Sequence, residues 1–302
     1  MTATATAPTA WVPGARGMLG QEVVAILRER GVAHVATDRE LDIGDAAAVD
    51  AFAADHLFTH VINCAAYTAV DACETHEPLA AHINALGPAN LARVARERGA
   101  IAVHVSTDYV FDGQGAAPYR EDDPTGPENA YGRTKLAGEE RFLAAAGERG
   151  YVVRTSWLFG PGGPNFVATM LRLLRANPEV RVVHDQTGRP TYAPDLALAL
   201  VDLALAAPAV ASGVYHFANA GAVTWFELAS AARELAIARG LPIVGALTPI
   251  TTAEYPTPAR RPRWSVLATD KITAALGRAP RPWADGLAAY LDALATTQAP
   301  RD

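Results

Sequence analysis

Tyr131 and Lys135 stand four positions apart in a segment whose residues predict a helix from about 130 to 143. A spacing of four places both side chains on one face of a helix, about 6 Å apart along its axis. A phenol has an ordinary pKa of about 10, so it exchanges protons at neutral pH only when its phenolate is stabilised. An ammonium group one turn away supplies that stabilisation and is also able to donate to a ribose hydroxyl. The pair therefore indicates proton transfer to a carbonyl oxygen.

This interpretation depends on two other motifs, because the same spacing also arises by chance in ordinary helices. The first motif is a glycine-rich turn, in which Gly14, Gly17 and Gly20 lie between a short apolar segment, residues 9–13, and a predicted helix, residues 20–30. Glycine is required where a backbone turns tightly, approaches a pyrophosphate or packs closely against a strand. The helix N-terminus then presents free N–H groups to the phosphates. The turn predicts a dinucleotide site.

Charged residues near the end of the second predicted strand bear on the choice of dinucleotide. Asp38 is suited to accept hydrogen bonds from an adenosine 2′-hydroxyl, which favours NADH. Arg39 and Arg16 are suited to hold a 2′-phosphate, which favours NADPH. With two cations against one carboxylate we expect NADPH, and NADH is the alternative. Asp42 and Ile43 follow in the next loop and are predicted to contact the adenine, unless they form an ordinary helix cap.

The second motif is a polar segment at the end of an apolar strand, residues 101–106. Thr107 and Asp108 follow directly, and the carboxyl ends of strands in such folds face the ligand crevice. A hydroxyl here is able to donate to the carbonyl oxygen that becomes an alkoxide, sharing it with Tyr131. Asp108 would tune the titration of Tyr131. The alternative is that these two residues only cap the next turn.

The composition excludes several other classes of protein. The chain has 302 residues, half of them hydrophobic, and a net charge of −6 with a pI near 5.8. Neither a nucleic-acid partner nor a membrane is expected, since both need a basic or apolar surface. The two cysteines and the scattered histidines have no disulfide or metal-binding spacing, so no metal is predicted. The opening residues lack the features of a signal peptide, and we expect a cytoplasmic protein.

Short apolar segments alternate with helical ones up to about residue 160, which predicts a parallel, doubly wound α/β sheet of the Rossmann type. We predict a flexible tail over residues 1–8, an NAD(P)-binding domain over 9–160 and a smaller, interwoven substrate domain over 161–302. Segments near 180–218 are candidates to rejoin the first domain. Predicted helices cover residues 20–30, 45–58, 79–98, 130–143, 166–175 and 194–206, and predicted strands cover residues 9–13, 32–37, 59–65, 101–106, 151–156, 180–184 and 214–218.

Several motifs together resemble one enzyme family, the dTDP-4-dehydrorhamnose reductases, which are extended short-chain dehydrogenases. The resemblance covers roughly residues 14–291. It rests on Gly14-x-x-Gly17-x-x-Gly20, Asn63-Cys-Ala-Ala-Tyr-Thr-Ala-Val-Asp71, Ser106-Thr-Asp-Tyr-Val-Phe-Asp-Gly113, Tyr131-Gly-Arg-Thr-Lys-Leu-Ala-Gly-Glu139, Arg154-Thr-Ser-Trp157 and Tyr255-Pro-Thr-Pro258 with Arg261-Pro262.

The resemblance implies a reaction and a set of residue roles. The reaction is hydride transfer from NAD(P)H to C4 of a dTDP-linked 6-deoxy-4-ketohexose. Tyr131 would give the proton, Lys135 would hold the nicotinamide ribose and lower the Tyr131 pKa, and Thr107 would order the keto oxygen. Asp108 would tune the site and contact substrate. The remaining implied contacts are Gly17, Met18 and Leu19 for the pyrophosphate, Ala66, Tyr67 and Thr68 for the cofactor, Trp157 for the sugar and Arg261 for the substrate diphosphate.

Departures from the family pattern leave the exact sugar open. Trp264 stands where the family usually has Asn, and Pro13 stands in a first strand that is usually apolar. A nucleotide-sugar epimerase or dehydratase is the alternative within the superfamily, although Tyr109 replaces the Glu that dehydratases use. A non-catalytic NADP-binding regulatory subunit is a further alternative. It would need no proton donor, whereas Tyr131 and Lys135 are both present. A homodimer is possible.

Overall fold

The computed structural model describes residues 7–298, without the side chains of residues 297 and 298, so the predicted tail lies almost wholly outside the described residues. The strands are β1 Thr9–Pro13, β2 Ala33–Thr37, β3 His60–Asn63, β4 Ile101–Thr107, β5 Gly150–Thr155, β6 Leu158–Phe159, β7 Glu179–Val183, β8 Thr187–Gly188, β9 Thr191–Tyr192, β10 Gly213–His216, β11 Val223–Thr224 and β12 Ala246–Ile250. The helices are α1 Met18–Glu29, α2 Ala46–Asp55, α3 Val70–Cys73, α4 Glu77–Ala81, α5 Gly87–Glu97, α6 Ala130–Ala146, α7 Phe166–Ala176, α8 Ala193–Ala206, α9 Trp225–Ala238, α10 Asp270–Leu276 and α11 Trp283–Gln298.

The main sheet has six parallel strands in the order β10-β5-β4-β3-β1-β2. The chain passes from β1 to β2 on one side and then returns to place β3 on the other side. That reversal creates a crevice at the carboxyl ends of β1 and β3, where doubly wound folds bind ligands. The predicted α/β fold class is confirmed. Pro13 ends β1, where its carbonyl still accepts from the Cys64 N–H at 3.0 Å.

Helices cover both faces of this sheet. On one face α1 and α8 pack together over a core that includes Val23, Leu27, Leu196 and Leu200. On the other face α2, α5 and α6 enclose the fully buried Trp11. Because α8 and β10 come from beyond residue 160, the later half of the chain completes the layers around the sheet.

The elements that follow β5, apart from α8, β10 and α10, form a smaller unit. Helices α7, α9 and α11 surround a second core, and β7 pairs in parallel with β12. The short pairs β6–β9 and β8–β11 belong to this unit, since Phe159, Tyr192 and Val223 lie in the same core. The division of the chain at residue 160 stays a prediction.

The helix predicted over residues 79–98 differs from the observed structure. It begins earlier, as α4, and passes through a π-helical turn, His82–Leu86, before it continues as α5. The side chain of Asn84 in this turn is fully buried. It accepts from the Tyr67 N–H at 2.8 Å and donates to the Tyr67 carbonyl at 3.1 Å. The spacing of apolar residues along a helix does not reveal such a turn, because the contacts of Asn84 are with a distant loop, the one that contains Tyr67.

None of the helices within residues 7–298 is long and apolar enough to cross a membrane. The Ala/Leu-rich helix α8 lies in the core, with Leu196, Leu200 and Leu203 fully buried.

Candidate active site

Helix α6 carries Tyr131 and Lys135 and begins at the mouth of the crevice. Its first turn is capped by Asn129, whose side-chain oxygen accepts from the Gly132 N–H at 2.8 Å. A Cβ on Gly132 would collide with the Tyr109 carbonyl, and one on Gly138 with the Asn84 carbonyl. The two glycines therefore let α6 lie against the loop after β4 and the π turn, which brings the Tyr–Lys face to the strand ends.

Lys135 is buried, with 1% of its surface exposed. Its Nζ donates to the Val105 carbonyl at 2.7 Å and lies 3.2 Å from Nε2 of His104. Burial lowers the pKa of Lys135 from 10.5 to about 8, and the Glu139 carboxylate opposes this change. The amine therefore titrates close to neutral pH.

The phenol of Tyr131 is desolvated beside the end of β4. Burial raises its pKa, the Thr107 hydroxyl lowers it, and the Asp108 carboxylate raises it further. The expectation that Lys135 lowers the Tyr131 pKa stays a prediction. In this structure Val105 and His104 contact the amine, and burial is the largest influence on the pKa of the phenol.

Thr107 and Asp108 lie at the carboxyl end of β4 and are both buried. The Thr107 hydroxyl donates to Asp108 Oδ1 at 3.0 Å and accepts from the Tyr109 N–H at 3.2 Å. Burial raises the pKa of Asp108 from 3.8 to about 6, and the Ser265 and Thr107 hydroxyls offset this only in part. The structure brings Thr107, Asp108 and Tyr131 together, as the sequence suggested, and adds Ser265 from a segment near the C-terminus.

The glycine turn fits a dinucleotide. Gly14 has φ of +78°, and a Cβ there would stand 2.6 Å from the Ala65 nitrogen. Gly17 caps α1 without any side-chain hydrogen bond to the first turn, so the N–H groups of that first turn are available to phosphate oxygens. The backbone of the turn thus lies directly against the loop after β3, which contains Ala66, Tyr67 and Thr68.

The charged residues near β2 form a tight cluster. Asp38 accepts from the Arg16 N–H at 2.9 Å and from the Arg39 N–H at 2.9 Å. The Arg16 guanidinium lies 2.5 Å from Glu40, an acidic residue that the sequence reasoning overlooked. Glu40 also accepts from the Asp38 N–H at 2.7 Å. One of the two expected cations is therefore paired, and the other, Arg39, is exposed.

Asp42 and Ile43 have partners within the protein. The Asp42 carboxylate binds His82 at 2.9 Å and accepts from the Gly44 N–H at 2.9 Å. Ile43 is 5% exposed and packs on Gly87, where a Cβ would lie 2.6 Å from its side chain. Both residues thus fix the loop after β2 to the π turn and α5, and their contact with adenine stays a prediction.

Arg261 forms an ion pair across the site. Its Nη2 lies 2.9 Å from Asp71 Oδ2, and its Nη1 donates to the Ala259 carbonyl at 2.9 Å. Beside it lies a cavity of about 520 Å³ whose lining includes Arg260, Arg261, Arg263, Thr187 and Trp264. Three carboxylates, those of Asp112, Glu128 and Asp185, line the same cavity, and the Glu128 carboxylate lies 3.1 Å from the Arg260 guanidinium. The lining is therefore mixed in charge, with guanidinium groups that are suited to phosphate oxygens beside carboxylates that are not.

Trp157 and Trp225 stack face to face, with ring centroids 3.4 Å apart and planes 7° apart. Trp157 has φ of 47°, a backbone conformation that costs a non-glycine residue about 1–3 kcal/mol. Gly188 lies against the indole of Trp157, since a Cβ there would stand 2.5 Å from it. The indole is therefore held rigidly beside the strand ends, as part of the smaller unit.

A parallel doubly wound sheet with a glycine turn at its reversal point, and with a Tyr–Lys helix beside a threonine at a strand end, defines a short-chain dehydrogenase/reductase. The sequence profile of the family described as RmlD substrate binding domain matches residues 9–296, and the chain belongs to that family.

Two relatives and one solved structure illustrate the match. A dTDP-4-dehydrorhamnose reductase of Streptomyces griseus is 45% identical over 286 residues, which is 94% of this chain and 93% of that one. A dTDP-4-keto-6-deoxy-D-glucose reductase of Streptomyces niveus is 42% identical over 260 residues, 86% and 88% of the two chains. The crystal structure of a dTDP-4-dehydrorhamnose reductase from Bacillus anthracis in complex with NADP has a TM-score of 0.88 at 33% identity and covers 95% of this chain and 100% of that chain.

Proposed function

We propose that this protein is an NAD(P)H-dependent reductase of dTDP-linked 6-deoxy-4-ketohexoses. The observation that carries the proposal is the convergence of the Tyr131 phenol and the Thr107 hydroxyl beside the glycine turn, with Lys135 one helical turn away. Two hydroxyl donors at one strand end suit a ketone oxygen that gains negative charge. The names of the Streptomyces relatives support the substrate class.

The roles of the residues follow from their chemistry. A bound reduced nicotinamide supplies the hydride that reaches the carbonyl carbon. Thr107 donates a hydrogen bond to the carbonyl oxygen, and Tyr131 gives that oxygen its proton as the charge develops. Lys135 would hold the nicotinamide ribose and would stabilise the phenolate that Tyr131 becomes. The products are the 4-hydroxy sugar and the oxidised cofactor.

We propose that Asp108 contacts the substrate, that Trp157 packs against the sugar ring and that Arg261 binds the diphosphate. The place of Arg261 in the cavity lining, next to Arg263, supports the diphosphate assignment, because guanidinium groups bind phosphate oxygens in a bidentate way. Arg260 in the same lining is paired with Glu128. Asp71 would hold Arg261 in place for that contact.

We propose that NADPH is the preferred cofactor and that NADH is also accepted. The complex of the Bacillus anthracis protein with NADP supports this proposal, while the Arg16–Glu40 pair would weaken a contact between Arg16 and a 2′-phosphate. Steady-state kinetics with both cofactors decides the question, and a preference for NADH above about tenfold would overturn it. We also propose that the protein is cytoplasmic. The homodimer stays a prediction.

The test is a spectrophotometric assay of NADPH oxidation with a dTDP-4-keto-6-deoxyhexose, followed by product stereochemistry. Tyr131→Phe removes the acid and should lower kcat by about 10² or more, with NADPH binding preserved. Lys135→Ala should weaken both rate and cofactor affinity. Tyr151→Phe is the matched control, because this buried phenol donates to the Val210 carbonyl at 2.8 Å, away from Thr107.

Retention of most turnover by Tyr131→Phe would refute the assignment of the acid. A sugar that changes without net NADPH consumption would indicate an epimerase instead. NADPH binding without any turnover would indicate a regulatory subunit.

A further inference from the structure

Two buried polar side chains, those of Asn63 and His104, form a chain of contacts that leads to Lys135. Asn63 ends β3, and His104 lies opposite it in β4; both are 0% exposed. The Asn63 Nδ2 lies 3.0 Å from Nδ1 of His104, and Nε2 of His104 lies 3.2 Å from Nζ of Lys135. The sequence contains one sign of this arrangement, because His104 is an ionisable residue inside the apolar strand β4.

The directions of these hydrogen bonds follow from one backbone group. The Ala65 N–H can only donate, and its acceptor at 3.0 Å is Oδ1 of Asn63. The amide is therefore turned so that its NH₂ group faces His104, and Nδ1 of the imidazole accepts. A neutral imidazole carries one proton, so that proton is on Nε2 and points to Lys135.

An N–H that points to an amine distinguishes between the two states of that amine. An ammonium group has three donors and no acceptor, whereas a neutral amine has a lone pair that accepts. We propose that His104, oriented by Asn63, is a positioning residue that presents an N–H to Lys135 and so favours its neutral amine over its ammonium form. The proposal deepens the proposed function, on which its kinetic test rests.

The other charges around Lys135 act in the opposite sense or are already paired. Glu139 lies on the same helix and favours the ammonium, and its carboxylate is held by Arg154 at 2.7 Å. Tyr131 lies one turn earlier on α6. On β4, the Val105 carbonyl accepts from either form of the amine. The imidazole is thus the group facing Nζ that selects against the ammonium, and burial acts in the same direction on the pKa of Lys135.

The consequence for the reaction is easier proton exchange. An amine that binds its proton weakly near neutral pH is able to return a proton to the Tyr131 phenolate and to regain one from solvent water in each turnover. In the ammonium form Lys135 also supports the phenolate, so kcat/KM should fall as the pH rises through the pKa of Lys135, about 8.

The fall in kcat/KM at high pH is the alkaline limb of the pH profile. Two variants should shift this limb to higher pH. Asn63→Asp accepts from Nδ1–H, which moves the imidazole proton away from Nε2 and turns Nε2 into an acceptor for the ammonium. His104→Phe keeps a ring and removes the N–H. Each should move the limb upward by about one pH unit, the equivalent of one hydrogen bond. His60→Gln, on β3 and distant from Lys135, is the control and should leave the limb unchanged.

The protonation of His104 gives a readout that does not depend on activity. Nitrogen-15 NMR of histidine-labelled protein, assigned with His104→Phe, should show a neutral imidazole protonated at Nε2. An Nδ1-protonated or doubly protonated His104 would overturn the proposal, as would lower rates in folded variants whose limb does not move. If the wild-type protein reduces no dTDP-4-keto sugar, the proposed function fails, while the NMR result still decides the role of His104.

Discussion

Asp108→Asn should stabilise the folded protein above pH 6. The Asp108 carboxyl is 2% exposed, and burial raises its pKa from 3.8 to about 6. A carboxyl with a raised folded-state pKa contributes most to stability at low pH, and that contribution is lost as the pH rises from about 4 to about 6. Over this interval the Asp108 carboxyl is ionised in the unfolded chain but still largely protonated in the folded protein. Rising pH therefore favours the unfolded chain progressively.

The size of the effect follows from the two pKa values. At about 1.4 kcal/mol for each pH unit, the difference between 3.8 and 6 corresponds to about 3 kcal/mol of folding free energy lost at neutral pH. An Asn side chain cannot ionise, and it retains an oxygen for the Thr107 hydroxyl. We therefore expect Asp108→Asn to be up to about 3 kcal/mol more stable than the wild type at pH 7.5, with little difference at pH 4.

Urea denaturation of both proteins between pH 4 and pH 8 measures this difference. Asp112→Asn is the control of opposite sign, because hydrogen bonds from Tyr119 and Gln114 lower the pKa of Asp112. That variant should lose stability toward neutral pH. A pH-independent difference between Asp108→Asn and wild type, or a less stable variant at pH 7.5, would refute the reasoning. Asp108→Asn should also lower turnover, because stability and activity often conflict at active-site residues.

Two further variants probe the turn and the core beneath the site. Gly14→Ala places a Cβ against backbone at a φ of +78° and should weaken NADPH binding at least tenfold by calorimetry. Gly31→Ala shares the positive φ without a collision; equal loss in both variants would contradict this account. Glu139→Gln leaves the buried Arg154 unpaired and should cost about 3–5 kcal/mol in urea denaturation. The double Glu139→Leu and Arg154→Leu variant should recover most of that loss, and its failure to do so would show that packing dominates.

The fold class was predictable because its signals are periodic and local. Apolar strands alternating with helices define a parallel sheet, and β1 was predicted with the observed bounds. Helix ends were less accurate: the helix predicted over 45–58 ends at Asp55, and the one predicted from residue 20 begins at Met18. The prediction that Thr107 and Tyr131 lie close together also followed from local rules, since spacing determines which residues stand at a strand end or share a helix face.

What the sequence alone determined is the chemistry available: a phenol and an amine on one helix face, a glycine turn before a helix, and a hydroxyl at a strand end. Only the tertiary structure decided how the electrostatics act on them. It buries Lys135 against His104 and Val105 and brings Ser265 to Asp108. Spacing fixes which residues share a face. The protonation of a buried group depends on which distant side chains and carbonyls surround it, and only the packed chain brings those together.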